Sequence, residues 1–188
     1  MLSKVLVLLL IVQTSQVLSN VISVSNGAQW GRWGEWAKCP NGSVAKGFSL
    51  KVDSQHIRGD DTAVNGIRLH CVKCKPPHDE KTITSEVGPW GDWKETKWCN
   101  YGILAKFSMR VEPNQEDGDD TAVNNFKFQC TDKVQQLEGR GLYWGDYGEW
   151  SETCSNGICG LKTKVQGNDK VPCKDNTALN DVQFLCCN

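Results

Sequence analysis

Gly59-Asp-Asp-Thr-Ala-Val-Asn-Gly-Ile-Arg-Leu-His-Cys71 returns as Gly118-Asp-Asp-Thr-Ala-Val-Asn-Asn-Phe-Lys-Phe-Gln-Cys130, and again as Lys174-Asp-Asn-Thr-Ala-Leu-Asn-Asp-Val-Gln-Phe-Leu-Cys186. In every copy a threonine (Thr62, Thr121, Thr177) stands nine residues before the closing cysteine. Upstream of each lies a second motif: WGRWGEWAKC from Trp30, WGDWKETKWC from Trp90 and WGDYGEWSETC from Trp144. The opening tryptophans are offset by 60 and 54 residues, and the paired cysteines by 32, 31 and 32. Agreement at so many fixed offsets marks one structural unit copied three times.

Each unit reads as β-structure. After the first cysteine comes a turn signal, Asn41-Gly42, Asn100-Tyr101-Gly102 or Asn156-Gly157. Period-two alternation follows at Phe48, Leu50 and Val52, at Phe107, Met109 and Val111, and at Leu161, Thr163 and Val165. The closing segment alternates too: Ile67, Leu69, Cys71; Phe126, Phe128, Cys130; Val182, Phe184, Cys186. Such strands bury one face and wet the other. One unit of about four short strands is marginal by itself. Three sheets facing one axis would pool their inner faces into a common core, so a closed three-sided prism is expected rather than beads on a string.

The N-terminus carries a basic head ending at Lys4, an apolar run Val5–Val12 and small residues at Val17-Leu18-Ser19. That pattern predicts a signal peptide over 1–19 and a secreted, extracellular mature chain from Asn20. The run is too short to span a bilayer, which needs about 20 apolar residues. All ten cysteines follow it, and in an oxidising compartment they read as disulfides. The formal charge is −1, with no basic stripe for nucleic acid and no basic amphipathic helix for a membrane surface.

The patterns WGxW, GDDTAVN and DNTALN, each ended by a cysteine or a cysteine pair, resemble the vitelline membrane outer layer protein 1 family over essentially the whole mature chain. The resemblance implies an all-β fold, a type I β-prism of three Greek-key sheets with pseudo-threefold symmetry. It would occupy residues 20–188 as one domain of three repeats, about 27–74, 87–131 and 141–188. It also implies a secreted structural component of an egg coat or similar secretion. Its partners would be extracellular matrix or egg-coat proteins and N-acetylglucosamine-containing glycans. A weak transferase activity on N-acetylglucosamine oligosaccharides is attributed to the family. No cofactor is expected.

The repeat predicts bridges Cys39–Cys71, Cys99–Cys130 and Cys154–Cys186. Of the four remaining cysteines, Cys159 aligns by its distance from Cys154 with Val44 and Leu104, and Cys187 points away from Cys186. We therefore expect Cys159–Cys187. Elimination then leaves Cys74–Cys173, within one chain or across two. A zinc reading of Cys71-Val72-Lys73-Cys74 with His56, His70 and His78 lacks a second CxxC. No His stands at an informative spacing from a nucleophile.

Eight tryptophans are the unusual feature of the composition. WxxWxxW at Trp30, Trp33 and Trp36 is also the mark of thrombospondin type 1 repeats, where tryptophans stack with arginines and are C-mannosylated. Those small modules need three bridges each, so the likeness does not extend to the fold. The modification spacing itself occurs at Trp30, Trp33 and Trp90. Recurrence in all units predicts that the tryptophans close the ends of the core. Trp98, without a counterpart, is the surface candidate for stacking on a sugar ring.

The acidic pairs Asp60-Asp61 and Asp119-Asp120, with Asp175-Asn176, suggest glycosyl-transfer carboxylates or a calcium loop around Glu116-Asp117-Gly118. Local turn formation by Asp and Asn before Thr explains every copy more simply. Catalytic acids would instead converge from different units, with Glu35, Asp92, Asp146 and Glu149 equal suspects, so the catalytic residues remain unassigned. Asn41-Gly42-Ser43 is the N-glycosylation sequon.

Overall fold

The computed structural model describes residues 20–54, 62–73, 75, 79–113, 121–167 and 177–188. Among them the chain forms strands and no helix. In order these are β1 (Val21–Ile22), β2 (Arg32–Trp33), β3 (Ala37–Lys38), β4 (Ser43–Val52), β5 (Val64–Lys73), β6 (Glu80–Ile83), β7 (Asp92–Trp93), β8 (Lys97–Trp98), β9 (Leu104–Val111), β10 (Val123–Cys130), β11 (Gln136–Glu138), β12 (Asp146–Tyr147), β13 (Ile158–Val165) and β14 (Leu179–Cys186). The long strands are the alternating segments of the sequence. Their period of two sends Phe48, Leu50, Val52, Ile67 and Leu69 to one buried side.

Three antiparallel sheets result, in the orders β6-β5-β4-β7, β11-β10-β9-β12 and β1-β14-β13-β2; β8 also pairs with β4, and β3 with β13. Three strands that follow one another, with the next returning beside the first, make a Greek key. The first two sheets have that order outright. The third obtains its outer strands from the N-terminus, where β1 pairs β14 and β2 pairs β13.

The WG segment that opens each sequence repeat therefore does not join its own hairpin. β7 and β8 complete the sheet of β4 and β5, β12 completes that of β9 and β10, and β2 and β3 complete that of β13 and β14. Each sheet borrows an edge from the following repeat, and the last sheet borrows from the first, which closes the ring. The bridges Cys39–Cys71, Cys99–Cys130 and Cys154–Cys186 are formed, and the exchange makes each a link between neighbouring sheets. Cys39 follows β3, on the β13–β14 sheet, and is bonded to Cys71 of β5. Cys99 follows β8 and is bonded to β10, and Cys154 follows β12 and is bonded to β14. Every corner of the prism is stapled once.

Paired β-bulges prepare these junctions. In the first strand of each hairpin the extra residue is Lys46, Ala105 or Cys159. Its carbonyl accepts the N–H of the corner cysteine: Cys99 to Lys46 at 2.9 Å, Cys154 to Ala105 at 2.8 Å and Cys39 to Cys159 at 2.8 Å. In the second strand the extra residue is the asparagine of the repeated motif, Asn65, Asn124 or Asn180. Its carbonyl receives Gly88, Leu142 or Ala28, two residues before the exposed tryptophan of the next segment. A bulge interrupts a ladder and re-aims its backbone groups. Here each one redirects a carbonyl to the borrowed edge strand.

The motif chemistry is visible in those bulges. Ala63, Ala122 and Ala178 take left-handed φ values of 48°, 47° and 46°, a strained choice for a residue with a Cβ. The fully buried Asn65 side chain gives Nδ2 to Thr62 Oγ1 at 2.7 Å and accepts from the Trp90 N–H at 3.1 Å. Thr62 Oγ1 in turn donates to Asp53 Oδ2 at 3.2 Å, and Thr121 to Glu112 Oε2 at 2.6 Å. Asn65→Ala strands these buried groups without partners. The expected loss is about 2 kcal/mol of unfolding free energy, read from guanidinium denaturation.

Phenylalanines join the sheets within a core otherwise built mainly of Leu, Ile, Val and Met. All five phenylalanines of the chain are fully buried, and none of its eight tryptophans is. Phe128 touches Phe48 at 4.5 Å, Phe107 at 6.1 Å and Phe184 at 5.4 Å between ring centroids, joining all three sheets. The expectation that tryptophans close the core ends is thus corrected. Trp30, Trp33, Trp90 and Trp144 are exposed and the other four half-buried. Seven lie on two-residue edge strands or just before them and Trp150 shortly after one, all outside the alternating segments that face the axis.

Candidate functional site

The aromatic girdle is the chemistry the fold displays most openly. Gly31, Gly91 and Gly145 follow the first tryptophans with φ of 83°, 77° and 70°. A Cβ at Gly91 would collide with the backbone carbonyl of Val52, so only glycine lets the segment press onto the strand end while Trp90 turns outward. A basic side chain then pins the residue ahead of each tryptophan. Lys51 Nζ donates to the Pro89 carbonyl at 2.9 Å, Arg110 Nη1 to that of Tyr143 at 2.5 Å and Lys164 Nζ to that of Gln29 at 2.7 Å.

The aromatic three residues on lies under a cation. Arg68 lies 3.8 Å from the Trp93 ring centroid, Lys127 4.0 Å from Tyr147 and Lys162 4.9 Å from Trp33. Such pairs supply stacking surface and fixed positive charge together. Burial and a 2.9 Å bond to Glu138 push the Tyr147 hydroxyl far above its ordinary range, so it stays a donor.

Trp98, the expected surface tryptophan, is half-buried. It lies against Gly47, whose missing Cβ makes room for its ring, and meets the His70 imidazole edge-on at 5.2 Å. Only part of it faces outward.

The candidate acids are scattered. Glu35, Asp92, Asp146 and Glu149 are all exposed; Asp92 is on β7 and Asp146 on β12, at the edges of different sheets. Asp60, Asp61, Asp119, Asp120, Asp175 and Asn176, and the Glu116-Asp117-Gly118 loop, lie outside the described residues, as do His56 and His78. Cys71 is consumed by its bridge to Cys39, which removes it from any CxxC metal site.

One carboxylate does stand in an unusual environment. Burial raises the Asp181 carboxyl above its ordinary value, against the opposing help of the Val182 N–H and of Lys164. A raised folded-state value means that the native protein holds its proton more tightly than the unfolded chain. Stability is then lost as pH rises from the unfolded value through the folded one, and below that window there is no effect. Asp181→Asn is expected to raise the melting temperature at pH 7 and to leave it unchanged near pH 3.

A hydroxyl–imidazole–carboxylate chain that spacing alone did not reveal runs across β4, β5 and β6. Ser49 Oγ is 3.0 Å from His70 Nε2, and His70 Nδ1 is 2.6 Å from Glu80 Oε1. Thr96 Oγ1 also reaches Nε2, at 3.2 Å. The signal available in the sequence was register: in the hairpin His70 pairs with Gly47, two residues from Ser49. The order matches that of a nucleophilic triad, but Ser49 is 3% exposed and offers no approach to a substrate carbonyl. In the next sheet the equivalent Ser108 ties down an edge segment by donating to the Gly148 carbonyl at 2.7 Å. The chain at His70 does the same for β6 and residues 93–98.

The expected Cys159–Cys187 bridge is not formed, and Cys159 is a free thiol. Counting from Cys154 places Cys159 with Val44 and Leu104, whereas the ladder makes it the bulge residue equivalent to Lys46 and Ala105. It is thereby turned out of the alternation on which the pairing relied. Cys74–Cys173 lies outside the described residues. Cys159 and Cys187 both line an open cavity of about 1030 Å³, with Lys38, Lys75, Leu185 and the exposed Asn41 turn. Its size suits an oligosaccharide, and its basic rim an anionic one.

The vitelline membrane outer layer protein I (VOMI) family model matches residues 20–188. The vitelline membrane outer layer protein 1 homolog of Mus musculus is 48% identical over 171 residues, 90% of this chain and 84% of its own. The Homo sapiens homolog is 48% identical over 169 residues, 89% and 82% of the two chains. Among solved structures, Calystegia sepium agglutinin superposes with a TM-score of 0.53 at 14% identity, covering 87% of this chain and 93% of its own. A single-chain recombinant jacalin gives 0.54 at 13% identity, over 93% and 99%. Calsepa lectin in complex with a bisected glycan gives 0.54 at 14% identity, over 89% and 97%. At such identities the likeness is one of fold, the β-prism I of jacalin-like lectins. With its repeat, its three borrowed edges and its family match over residues 20–188, this chain belongs to the vitelline membrane outer layer protein I family.

Proposed function

We propose that the protein is exported and serves as a rigid structural component of an extracellular coat or secretion, of the vitelline membrane outer layer type. The observation that carries this reading is the ring of three inter-sheet disulfides, closed by pairing of the N-terminal β1 with the C-terminal β14. Such closure resists fraying and proteolysis, and disulfides persist outside the cell. The test is expression from animal cells with the native leader, followed by analysis of the medium and of an assembled egg coat. Secreted protein beginning at Asn20, glycosylated at Asn41 and retained by the coat after a salt wash, supports the reading. Retention inside the cell with residues 1–19 intact would sink it.

A second reading, glycan binding, is favoured by the exposed aromatics, by half-buried Trp98 and by the cavity beside Asn41. One fold neighbour, Calsepa lectin, was solved with a biantennary N-glycan and, in a second structure, with a bisected glycan. Binding of N-glycans or N-acetylglucosamine oligomers on a glycan array would support it, and a blank array would remove it. Transfer of N-acetylglucosamine units is a separate expectation from the family. Mass spectrometry of a chito-oligosaccharide ladder after incubation with the protein decides that point, since an unchanged ladder excludes the activity on this substrate.

A further inference from the structure

We propose that Trp30 and Trp90 are C-mannosylated and that Trp144 is not. The inference rests on the reading that the chain is exported, because the mannosyl donor, a polyprenyl-phosphate mannose, is met in the secretory pathway.

The pseudo-threefold symmetry makes three nearly identical sites that differ in one relevant residue. Trp30, Trp90 and Trp144 are each followed by a left-handed glycine with φ of 83°, 77° and 70°. Each is preceded by a carbonyl pinned by Lys164, Lys51 or Arg110. Each ring is exposed, by 44%, 50% and 37%. The residue three positions on is Trp33, Trp93 and Tyr147. Among these three sites the W-x-x-W spacing read by tryptophan C-mannosyltransferases is therefore complete at Trp30 and Trp90 and broken at Trp144; Trp33 also has it, but its ring lies under Lys162 and it is the pairing residue of Trp30 rather than one of the three sites. In the finished fold the exposed rings leave room for a hexose, whose hydroxyls would cover apolar surface otherwise left in water.

The chemistry is an aromatic substitution. Indole C2 attacks mannose C1, and a C2–C1 bond forms as the C1–O bond to the phosphate breaks. The polyprenyl phosphate departs with the electron pair, and the C2 proton is lost, restoring aromaticity. No oxidant or reductant is needed.

The test is peptide mass spectrometry of the full chain secreted by mammalian cells that carry the transferase. An added hexose of about 162 Da on Trp30 and on Trp90, showing the cross-ring loss of about 120 Da that marks a carbon-linked sugar, is expected, with Trp144 unmodified. Trp93→Phe should abolish the addition at Trp90 and leave that at Trp30. Tyr147→Trp should create one at Trp144. Unmodified Trp30 and Trp90 in a chain that begins at Asn20 would overturn the proposal while leaving export intact. Equal modification of wild-type Trp144 would overturn its basis in the spacing. A chain that keeps residues 1–19 would overturn the export reading, and this inference with it.

Discussion

Phe128→Ala is expected to cost about 3–5 kcal/mol of unfolding free energy, and to lower the melting temperature by about 10 °C or more. The reason is position rather than size alone. Phe128 is fully buried on β10 and touches Phe107 and Phe126 of its own sheet, Phe48 of the β4–β5 sheet and Phe184 of the β13–β14 sheet. Its removal opens a void where three sheets meet, and no single sheet can relax into it without leaving the others. Trp144→Ala removes a larger side chain from the surface and should cost less than about 1 kcal/mol. Guanidinium curves for the two variants decide the matter. A Phe128→Ala loss below that of Trp144→Ala would show that the prism is held by its aromatic girdle and not by its axis. Should Phe128→Ala fail to be secreted, Phe128→Leu keeps the comparison open with a smaller void.

That contrast also explains which parts of the molecule were legible in the sequence. Phe48, Phe107, Phe126, Phe128 and Phe184 sit in segments long enough for a period of two to be counted, and all five face the axis as counted. The tryptophans sit on edge strands of two residues or beside them, where no period exists. Frequency in the repeat was there the only guide, and it misled, because a repeated residue is conserved among copies whether it points in or out. The WG dipeptide held the better signal: the left-handed glycine reverses the chain and leaves the tryptophan outside.

The edge exchange was hidden for a different reason. A Greek key can be cut between any two strands, and a sequence repeat shows only the period, not the cut. The corner cysteines paired as the repeat implied because symmetry survives any choice of cut. Cys159 was misplaced because a bulge adds one residue to a strand without changing its composition. Of the candidate site, the hydroxyl of Ser49 and the ring of His70 were invisible until the hairpin register brought them together.

The borrowed edges decide what the corner bridges are worth. Replacing Cys99 and Cys130 together by alanine is expected to lower stability by about 4 kcal/mol, from the entropy returned to an unfolded chain no longer closed into a loop. The three loops enclose separations of 32, 31 and 32 residues, so the Cys39–Cys71 and Cys154–Cys186 pairs should cost the same. Their native geometry would persist in each variant. The N–H of Cys99 remains bonded to Lys46, that of Cys154 to Ala105 and that of Cys39 to Cys159, and all three are backbone bonds that an alanine keeps. Each bridge also joins two sheets, so losing it leaves that junction to the paired bulges, the edge-strand pairing and the packed core. Three double variants compared by guanidinium denaturation test this directly. Equal shifts place the cost in the unfolded chain. If one corner alone costs most of the stability, that edge strand is held by its cystine and not by its bulge, and the ring opens there first.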